Sequence, residues 1–442
     1  MKRNIDKHLV NWKIIPNRRP LLVRGARQVG KSYSIKAFGK SQFKEMLIID
    51  LEESPEYKSC FDVLNPDKII EAISVIAHKD VIPGETLLFI DEIQECPQAI
   101  QSLRYFYEKK PDLHVIGAGS LLEFALESAS FKMPVGRVQF LYMKPLALGE
   151  FLDALGEERA HKQIQKMYQT QEPLNQAVHN HLLELVKKYL LLGGMPLVVK
   201  EYVTSGLLNK SMDIQSDIIE TYRNDFSKYC SGSQQKYLEK VFDAVPKLVG
   251  KKFVYSHVDS TIKSTFLKEA LELLIKAEVI CKVKRTTGAG IPLGADASDR
   301  HFKTIFLDVG LMQNICGLDV ALVQSKDALQ VHNGAVAEQF VGQALLAAQN
   351  PRRKHSLYYW ERAKRSSCAE VDYLITNGSD VLPVEVKAGK TGMLKSMRMF
   401  INKYHSKKGI KLSQGQYELH DDIECIPLYG AGFTFPTESL IA

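Results

Sequence analysis

The sequence predicts an α/β chain in several parts. An N-terminal parallel sheet covered by helices on both faces leads into a helical and winged-helix-like middle, and then into a mixed α/β C-terminal part. Three observations predict it. The first 150 residues alternate short, continuously apolar runs with helix-like stretches, the pattern of strands buried on both faces. Residues 151–235 are long stretches rich in Glu, Lys, Leu and Gln. The last part returns to consecutive strand-like runs. The chain has 442 residues, and at roughly 100–200 residues per domain that means two to four domains. Hydrophobic residues make up 45% and charged residues 25%, which excludes collagen-like and disordered chains.

The N-terminal strands are expected at Leu21–Val23, Met46–Leu51, Thr86–Ile90, Leu113–Ile116 and Val138–Met143. Helices are expected near Tyr33–Lys40, Asp67–His78 and Pro97–Lys109, and this domain ends near residue 150. The helical stretch 151–235 is broken at Gly193-Gly194. Residues 236–320 begin with helices at Lys236–Leu248 and Thr265–Ala277. They finish with strand-like Val279–Arg285, a Gly/Pro loop over Thr287–Gly294 and strand-like Lys303–Leu307, an order that suggests a winged helix-turn-helix. In residues 321–442 a helix at Val331–Ala348 precedes strands at Leu357–Trp360, Glu370–Ile375 and Val381–Lys387.

Seven scattered cysteines, with no CxxC pair, predict neither a structural zinc nor a disulfide framework, and free thiols fit a reducing cytosol. The longest apolar run, Tyr189–Val199, is broken by Gly193, Gly194 and Pro196 and is far shorter than the roughly 20 residues of a membrane span. The N-terminal MKRNIDKHLVNW has no apolar core, unlike a signal peptide. A soluble cytoplasmic protein that makes no membrane contact is therefore expected. The net charge of +7 is uneven. Residues 351–411 hold 14 Lys/Arg against five Asp/Glu, a surplus of +9, which leaves −2 for the rest. An anionic partner such as DNA would meet this region, and a solvated basic face is the plainer reading.

Leu21-Leu22-Val23 runs into Gly25-Ala26-Arg27-Gln28-Val29-Gly30-Lys31-Ser32, a G-x-x-x-x-G-K-S loop between a strand and a helix. Its backbone N–H groups and the helix N-terminus would wrap a nucleotide's phosphates. Lys31 would reach the β- and γ-phosphates, and the Ser32 hydroxyl would ligate Mg²⁺. The strand Thr86–Ile90 ends in Asp91-Glu92, and a buried parallel strand delivers such acids to the C-terminal sheet edge, where ligands bind. Asp91 would hold the Mg²⁺ shell, and Glu92 would orient and deprotonate the attacking water. The extra strand at Met46–Leu51 and the adjacent glutamate point to the additional-strand class of P-loop ATPases. Ser120, after the Leu113–Ile116 strand, is a candidate γ-phosphate sensor or a turn serine. Arg137 is a candidate phosphate-facing or trans-acting arginine, or an exposed structural one, and a trans role would demand an oligomer.

A second constellation lies near the C-terminus. In Glu370-Val371-Asp372 and Val384-Glu385-Val386-Lys387, strand alternation places Glu370 with Asp372, and Glu385 with Lys387, on shared faces. Asp372 and Glu385 would bind Mg²⁺, Lys387 would position or activate water, and Glu338 would add a ligand from the preceding helix, a set that fits metal-assisted phosphodiester hydrolysis. Arg352, Arg353, Lys354, Tyr358, Tyr359, Trp360, Arg362, Lys364 and Arg365 interleave charge with aromatic rings that would stack on bases, or that pack as one face of a strand.

Residues from about 18 to 150 resemble the AAA-like domain of a large group of bacterial and archaeal P-loop ATPases. The matching words are GARQVGKS (25–32), LLFIDEIQ (87–94), GAGSLLE (117–123), VGRVQFLYMKPLALGEFL (135–152) and YLLLGGMPLVV (189–199). The remainder resembles the DUF4143 domain that usually follows, with a C-terminal part similar to PD-(D/E)xK nucleases. The words there are YRNDFSKY (222–229), NGAVAEQFV (333–341), LYYWERAKRSSCAEVDYLI (357–375) and VEVKAG (384–389). In GAGS, relatives more often carry Thr before the Gly-Ser pair. The resemblance implies ATP binding with Mg²⁺, ATP hydrolysis and a nuclease-like output module. Two readings of that module stay open: a nuclease, or a non-catalytic module in an ATP-controlled binding switch.

Overall fold

The computed structural model describes residues 1–120, 122, 136–230, 232–318, 333–362, 369–389 and 394–433. Lys364 and Arg365 lie outside these residues. The chain divides into two compact units. One holds residues 2–144 with 351–354, and the other is built from 145–350 and from 355 onward.

In the first unit, β1 (Leu21–Arg24), β2 (Glu45–Asp50), β3 (Thr86–Asp91), β4 (His114–Ala118) and β5 (Gln139–Tyr142) form one sheet in the order β2-β3-β4-β1-β5. Every pairing in it is parallel. The five expected strands are all present, but the strand inserted between β1 and β3 is β4, whereas β2, read as the extra strand, lies at the sheet edge. Every residue of β3 is buried, which is why its run reads as continuously apolar. Leu22, Leu47, Ile49, Leu88, Ile90 and Val115 share a core with Ile69 and Ile73 of α3 (Pro66–Ala77) and Ile100, Leu103 and Phe106 of α4 (Pro97–Lys109). On the other face, Trp12 of α1 (Ile5–Ile14) meets Phe38 of α2 (Lys31–Gln42), and a Cβ on Gly39 would run against Leu87.

The second unit is organised round a mixed sheet in the order β12-β13-β11-β10-β9-β8-β6-β7. Its strands are β6 (Ile280–Thr286), β7 (Ser298–Phe306), β8 (Leu357–Glu361), β9 (Glu370–Asn377), β10 (Asp380–Val386), β11 (Gly409–Ser413), β12 (Glu418–His420) and β13 (Ile423–Pro427). The β6–β7 hairpin, the expected wing, does not stand free. The edge of β6 pairs in parallel with β8, so its backbone groups are used within a sheet that residues on both sides of 320 share.

The helical break at Gly193-Gly194 has a physical cause. Asp308 is fully buried, accepts the Gly194 N–H at 2.7 Å and also caps the helix Val309–Ile315. Gly193 has φ +72°, and a Cβ there would lie 1.9 Å from Asp308 Oδ1. The helix Asn333–Ala348 grips β7 with amide side chains. Gln339 pairs with both the N–H and the carbonyl of Phe306, and Gln343 accepts from the Val309 N–H.

Candidate functional site

The P-loop leaves β1 at the C-terminal edge of the parallel sheet. Gly25 has φ +148°, and a Cβ there would come within 2.3 Å of the Met143 carbonyl oxygen, so only glycine fits. Gln28 and Gly30 also have positive φ, and Gly30 starts α2. Lys31 is buried, and its ammonium donates to the carbonyls of Gly25 and Ala26, both at 2.9 Å. The Ser32 hydroxyl stands close enough to the Asp91 carboxylate to favour its charged form, and Asp91 also accepts the Glu92 N–H at 3.2 Å. Burial raises the Asp91 carboxyl from its ordinary value, against the pull of Ser32 and the Glu92 N–H.

Glu92 stands beside this pair with φ +45°, a left-handed backbone that costs a non-glycine residue about 1–3 kcal/mol and recurs at functional sites. Burial raises its carboxyl as well, opposed by the Gln94 amide and by the charge of Lys31. The structure therefore brings Gly25 through Ser32, Asp91 and Glu92 together. Two hard oxygen donors, Ser32 and Asp91, sit beside one another at the loop, a donor set that fits Mg²⁺. Arg27 approaches Glu52 at 4.0 Å.

In the second unit the acids gather round a residue the sequence did not point to. Lys303, on β7, is only 1% exposed. Its ammonium lies 2.8 Å from Glu338 Oε1, 2.6 Å from Glu370 Oε1 and 3.8 Å from Asp372 Oδ1, with the Tyr359 ring at 5.5 Å. Asp372 Oδ2 accepts the Val386 N–H at 2.8 Å, and Glu385 Oε1 pairs with Lys387 at 2.7 Å. Burial by itself would lower the Lys303 ammonium, but the carboxylates of Glu338, Asp372 and Glu370 outweigh it and hold the group charged. Burial, then the Asp372 charge, push Glu338 and Glu385 up to about 7. Among the described residues, no three His, Cys, Asp or Glu side chains are disposed to hold a metal ion. Of the expected metal set, Glu338 and Asp372 lie round the Lys303 ammonium, while Glu385 pairs with Lys387.

A family model described as an AAA domain matches residues 17–152. Two domains of unknown function follow, DUF8612 over 183–321 and DUF4143 over 333–430. The chain is an AAA-like P-loop protein with a DUF4143 domain. DUF4143 covers six of the eight strands of the mixed sheet, β8 to β13, while β6 and β7 fall in the domain model before it. No curated protein matches the chain. Among solved structures, the Walker-type ATPase of Pyrococcus abyssi aligns at 16% identity over 71% of this chain and 95% of its own, with a TM-score of 0.46. The Orc1 protein of Aeropyrum pernix in complex with DNA aligns at 10% identity over 72% and 93%, with a TM-score of 0.30. The assignment rests on the domain models, the loop and the sheet order.

For this AAA-like chain, three further sequence expectations meet the structure. Ser120 follows β4 at the same sheet edge as the P-loop and is half-buried. Arg137 does not face the loop. It precedes β5 at the N-terminal edge of a parallel sheet, where it pairs with Glu108 at 3.0 Å. Tyr359 and Trp360 are core residues, Tyr359 under Lys303 and Trp360 against Phe400 at 5.4 Å, and neither offers a face to a base. The basic stretch is also divided, since residues 351–354 belong to the P-loop unit.

Besides Lys303, sequence reasoning missed Arg3 and Gln94. Arg3 donates to the Val29 carbonyl in the loop at 2.8 Å and to the Lys144 carbonyl at 2.7 Å. The Gln94 amide donates to Glu92 Oε2 at 2.6 Å. Gln94 had a signal, since it lies two residues past the acidic pair within LLFIDEIQ. Arg3 had none, because nothing local ties it to residue 29. Among the described residues, no helix is long and apolar enough to cross a membrane.

Proposed function

We propose that the chain binds Mg·ATP and hydrolyses it to ADP and phosphate. The observation that carries this reading is the convergence of Lys31, Ser32, Asp91 and the half-buried Glu92 at the C-terminal end of β1 and β3, beside the P-loop. The loop N–H groups and the start of α2 hold the phosphates. Lys31 exchanges its carbonyl partners for the β- and γ-phosphate oxygens, which outbid neutral acceptors because they are charged. Ser32 and Asp91 hold the magnesium, which when bound adds positive charge at the phosphate oxygens. The Glu92 carboxylate takes the proton of the attacking water, and burial makes it a stronger base than an exposed glutamate. Turnover of labelled ATP tests this. Lys31→Ala should lose nucleotide binding, and Glu92→Gln should bind ATP while hydrolysis falls by about 10²–10⁴-fold. Unchanged turnover in Glu92→Gln overturns the assigned base.

For the C-terminal unit, the Lys303 geometry favours the switch reading over the nuclease reading. ATP state then controls how this unit binds an anionic partner, and its residues 355–411, with 11 Lys/Arg against five Asp/Glu, suit nucleic acid. Salt-dependent DNA binding that survives Asp372→Ala is the expected result. Nicking of DNA in Mg²⁺ or Mn²⁺ that vanishes in Asp372→Ala would restore the nuclease reading.

A further inference from the structure

The C-terminal carboxylates already enclose a cation, and it comes from the chain itself. We propose that the Lys303 ammonium is the resident cation of the Glu338–Glu370–Asp372–Glu385 cluster, standing where a divalent metal would stand in a nuclease of this design, so that the native chain takes up no Mg²⁺ or Mn²⁺ there.

One oxygen of each acid is already engaged. Glu338 Oε1 and Glu370 Oε1 both accept from Lys303. Asp372 Oδ2 accepts the Val386 N–H, and Glu385 Oε1 accepts from Lys387. Asp372 Oδ1 stands 3.8 Å from the ammonium and Glu385 Oε2 is buried without a hydrogen-bond partner, and two oxygens beside a resident ammonium fall short of the roughly six ligands a hard divalent ion takes. The ammonium is also enclosed. Lys303 is 1% exposed, and the face of Tyr359 lies against it at 5.5 Å. On the Glu338 side, Gly250 has φ +79°, and a Cβ there would already stand 3.0 Å from Glu338 Oε2.

The backbone on both sides fixes the arrangement. Lys303 is held in register by its pairing with Val283 on β6 and by a bridge to Lys252. Glu338 is held by its helix, whose carbonyl at the same residue accepts from the Tyr373 hydroxyl at 2.8 Å. A divalent ion could enter only by expelling a buried ammonium from two carboxylates, or by sharing the cage with it against like-charge repulsion. The carboxylates therefore fasten the helix Asn333–Ala348 to β7 and β9 through Lys303, and hydrolysis at this place lacks its metal.

This deepens the switch reading of the C-terminal unit, yet the two fail separately, because salt-dependent binding of DNA does not depend on what fills the cage. The test compares Mn²⁺ uptake, read by the loss of the free-ion electron paramagnetic resonance signal, in nucleotide-free full-length chain and in the Asp372→Asn/Glu385→Gln double variant. Equal uptake is expected, since any ion at Ser32 and Asp91 is common to both. One equivalent of Mn²⁺ bound by the native chain and lost in the double variant would overturn the proposal. A second measurement uses Lys303→Met. Millimolar Mn²⁺ should raise its melting temperature and leave that of the native chain unmoved, and adding Asp372→Asn to Lys303→Met should abolish the rise. A folded Lys303→Met chain that gains no Mn²⁺-dependent shift would show that Lys303 does not occupy a cation's place.

Discussion

Two buried lysines, Lys31 and Lys303, carry the same charge and do opposite things with it. Lys31 donates to two main-chain carbonyls of its own loop, at 2.9 Å each. Neutral acceptors hold an ammonium loosely compared with a charged oxygen, so a triphosphate can draw it away. Lys303 donates to two carboxylates, at 2.8 and 2.6 Å, with a third acid at 3.8 Å. Its charge is already neutralised inside the fold. A buried lysine is thus poised for an anionic ligand when its partners are dipoles, and structural when its partners are acids.

The comparison is broken most directly by deleting each ammonium. Lys31→Ala should weaken ATP binding at least about 100-fold, the scale of losing a charge-assisted contact of roughly 3 kcal/mol, and leave the melting temperature almost unchanged. Lys303→Met should do the reverse. It leaves the buried Glu338 and the half-buried Glu370 without their cation, at a cost of about 3–5 kcal/mol in urea unfolding, with ATP affinity intact. If Lys31→Ala destabilised as much as Lys303→Met, the distinction would be wrong.

A smaller effect should appear in pH dependence, with opposite signs in the two units. Glu338 and Glu385 stand at about 7, against about 4.5 unfolded, from burial and the Asp372 charge, with Lys303, Glu370 and Lys387 facing them. Between these values the folded state holds protons that the unfolded chain has released, so this cluster's contribution to stability falls as pH rises from about 4.5 to about 7. His114, in the P-loop unit, is lowered to about 4 by burial and then by the neighbouring Arg18. There the unfolded chain holds the extra proton, so stability is lost as pH falls from about 6.5 towards 4. Melts from pH 5 to 7.5 should therefore tilt in opposite directions for the two units. Glu385→Gln should flatten only the C-terminal trend, and an unaltered slope in that variant would show that the acid is not titrating there.

The P-loop half was legible because its chemistry is local. One strand, one loop and one helix start put Gly25 to Ser32 in place, and the fully apolar β3 delivered Asp91 and Glu92 to the same edge. The same strand-direction rule places Arg137 at the far edge, since it precedes a parallel strand where Asp91 ends one. The C-terminal acids were found by strand alternation, but their cation was not, because Lys303 precedes Asp372 by 69 positions and reaches it only when β7 joins the same sheet through β6 and β8. That pairing also decided the fate of the hairpin. Nothing within Val279–Leu307 announces that a strand at Leu357 will close its edge.

The smallest expected effect concerns how the acid beside each lysine is held. Lys303's acids are fixed by the cation itself, whereas Glu92 is held by a side chain that can turn away. The Gln94 amide donates to Glu92 at 2.6 Å, and a Cβ on Gly119 would stand 1.9 Å from Gln94 Oε1. Gly119→Ala must therefore push Gln94 off its place. Gln94→Ala removes the contact outright. Each should change ATP turnover by a few fold and leave ATP affinity alone, because neither touches the loop or Lys31. The two act on one hydrogen bond, so the double variant should be no worse than Gln94→Ala alone, a coupling that a double-mutant cycle reads directly. Additive effects would mean that glycine at 119 serves something other than Gln94, and Glu92 would then be held as firmly as the acids round Lys303.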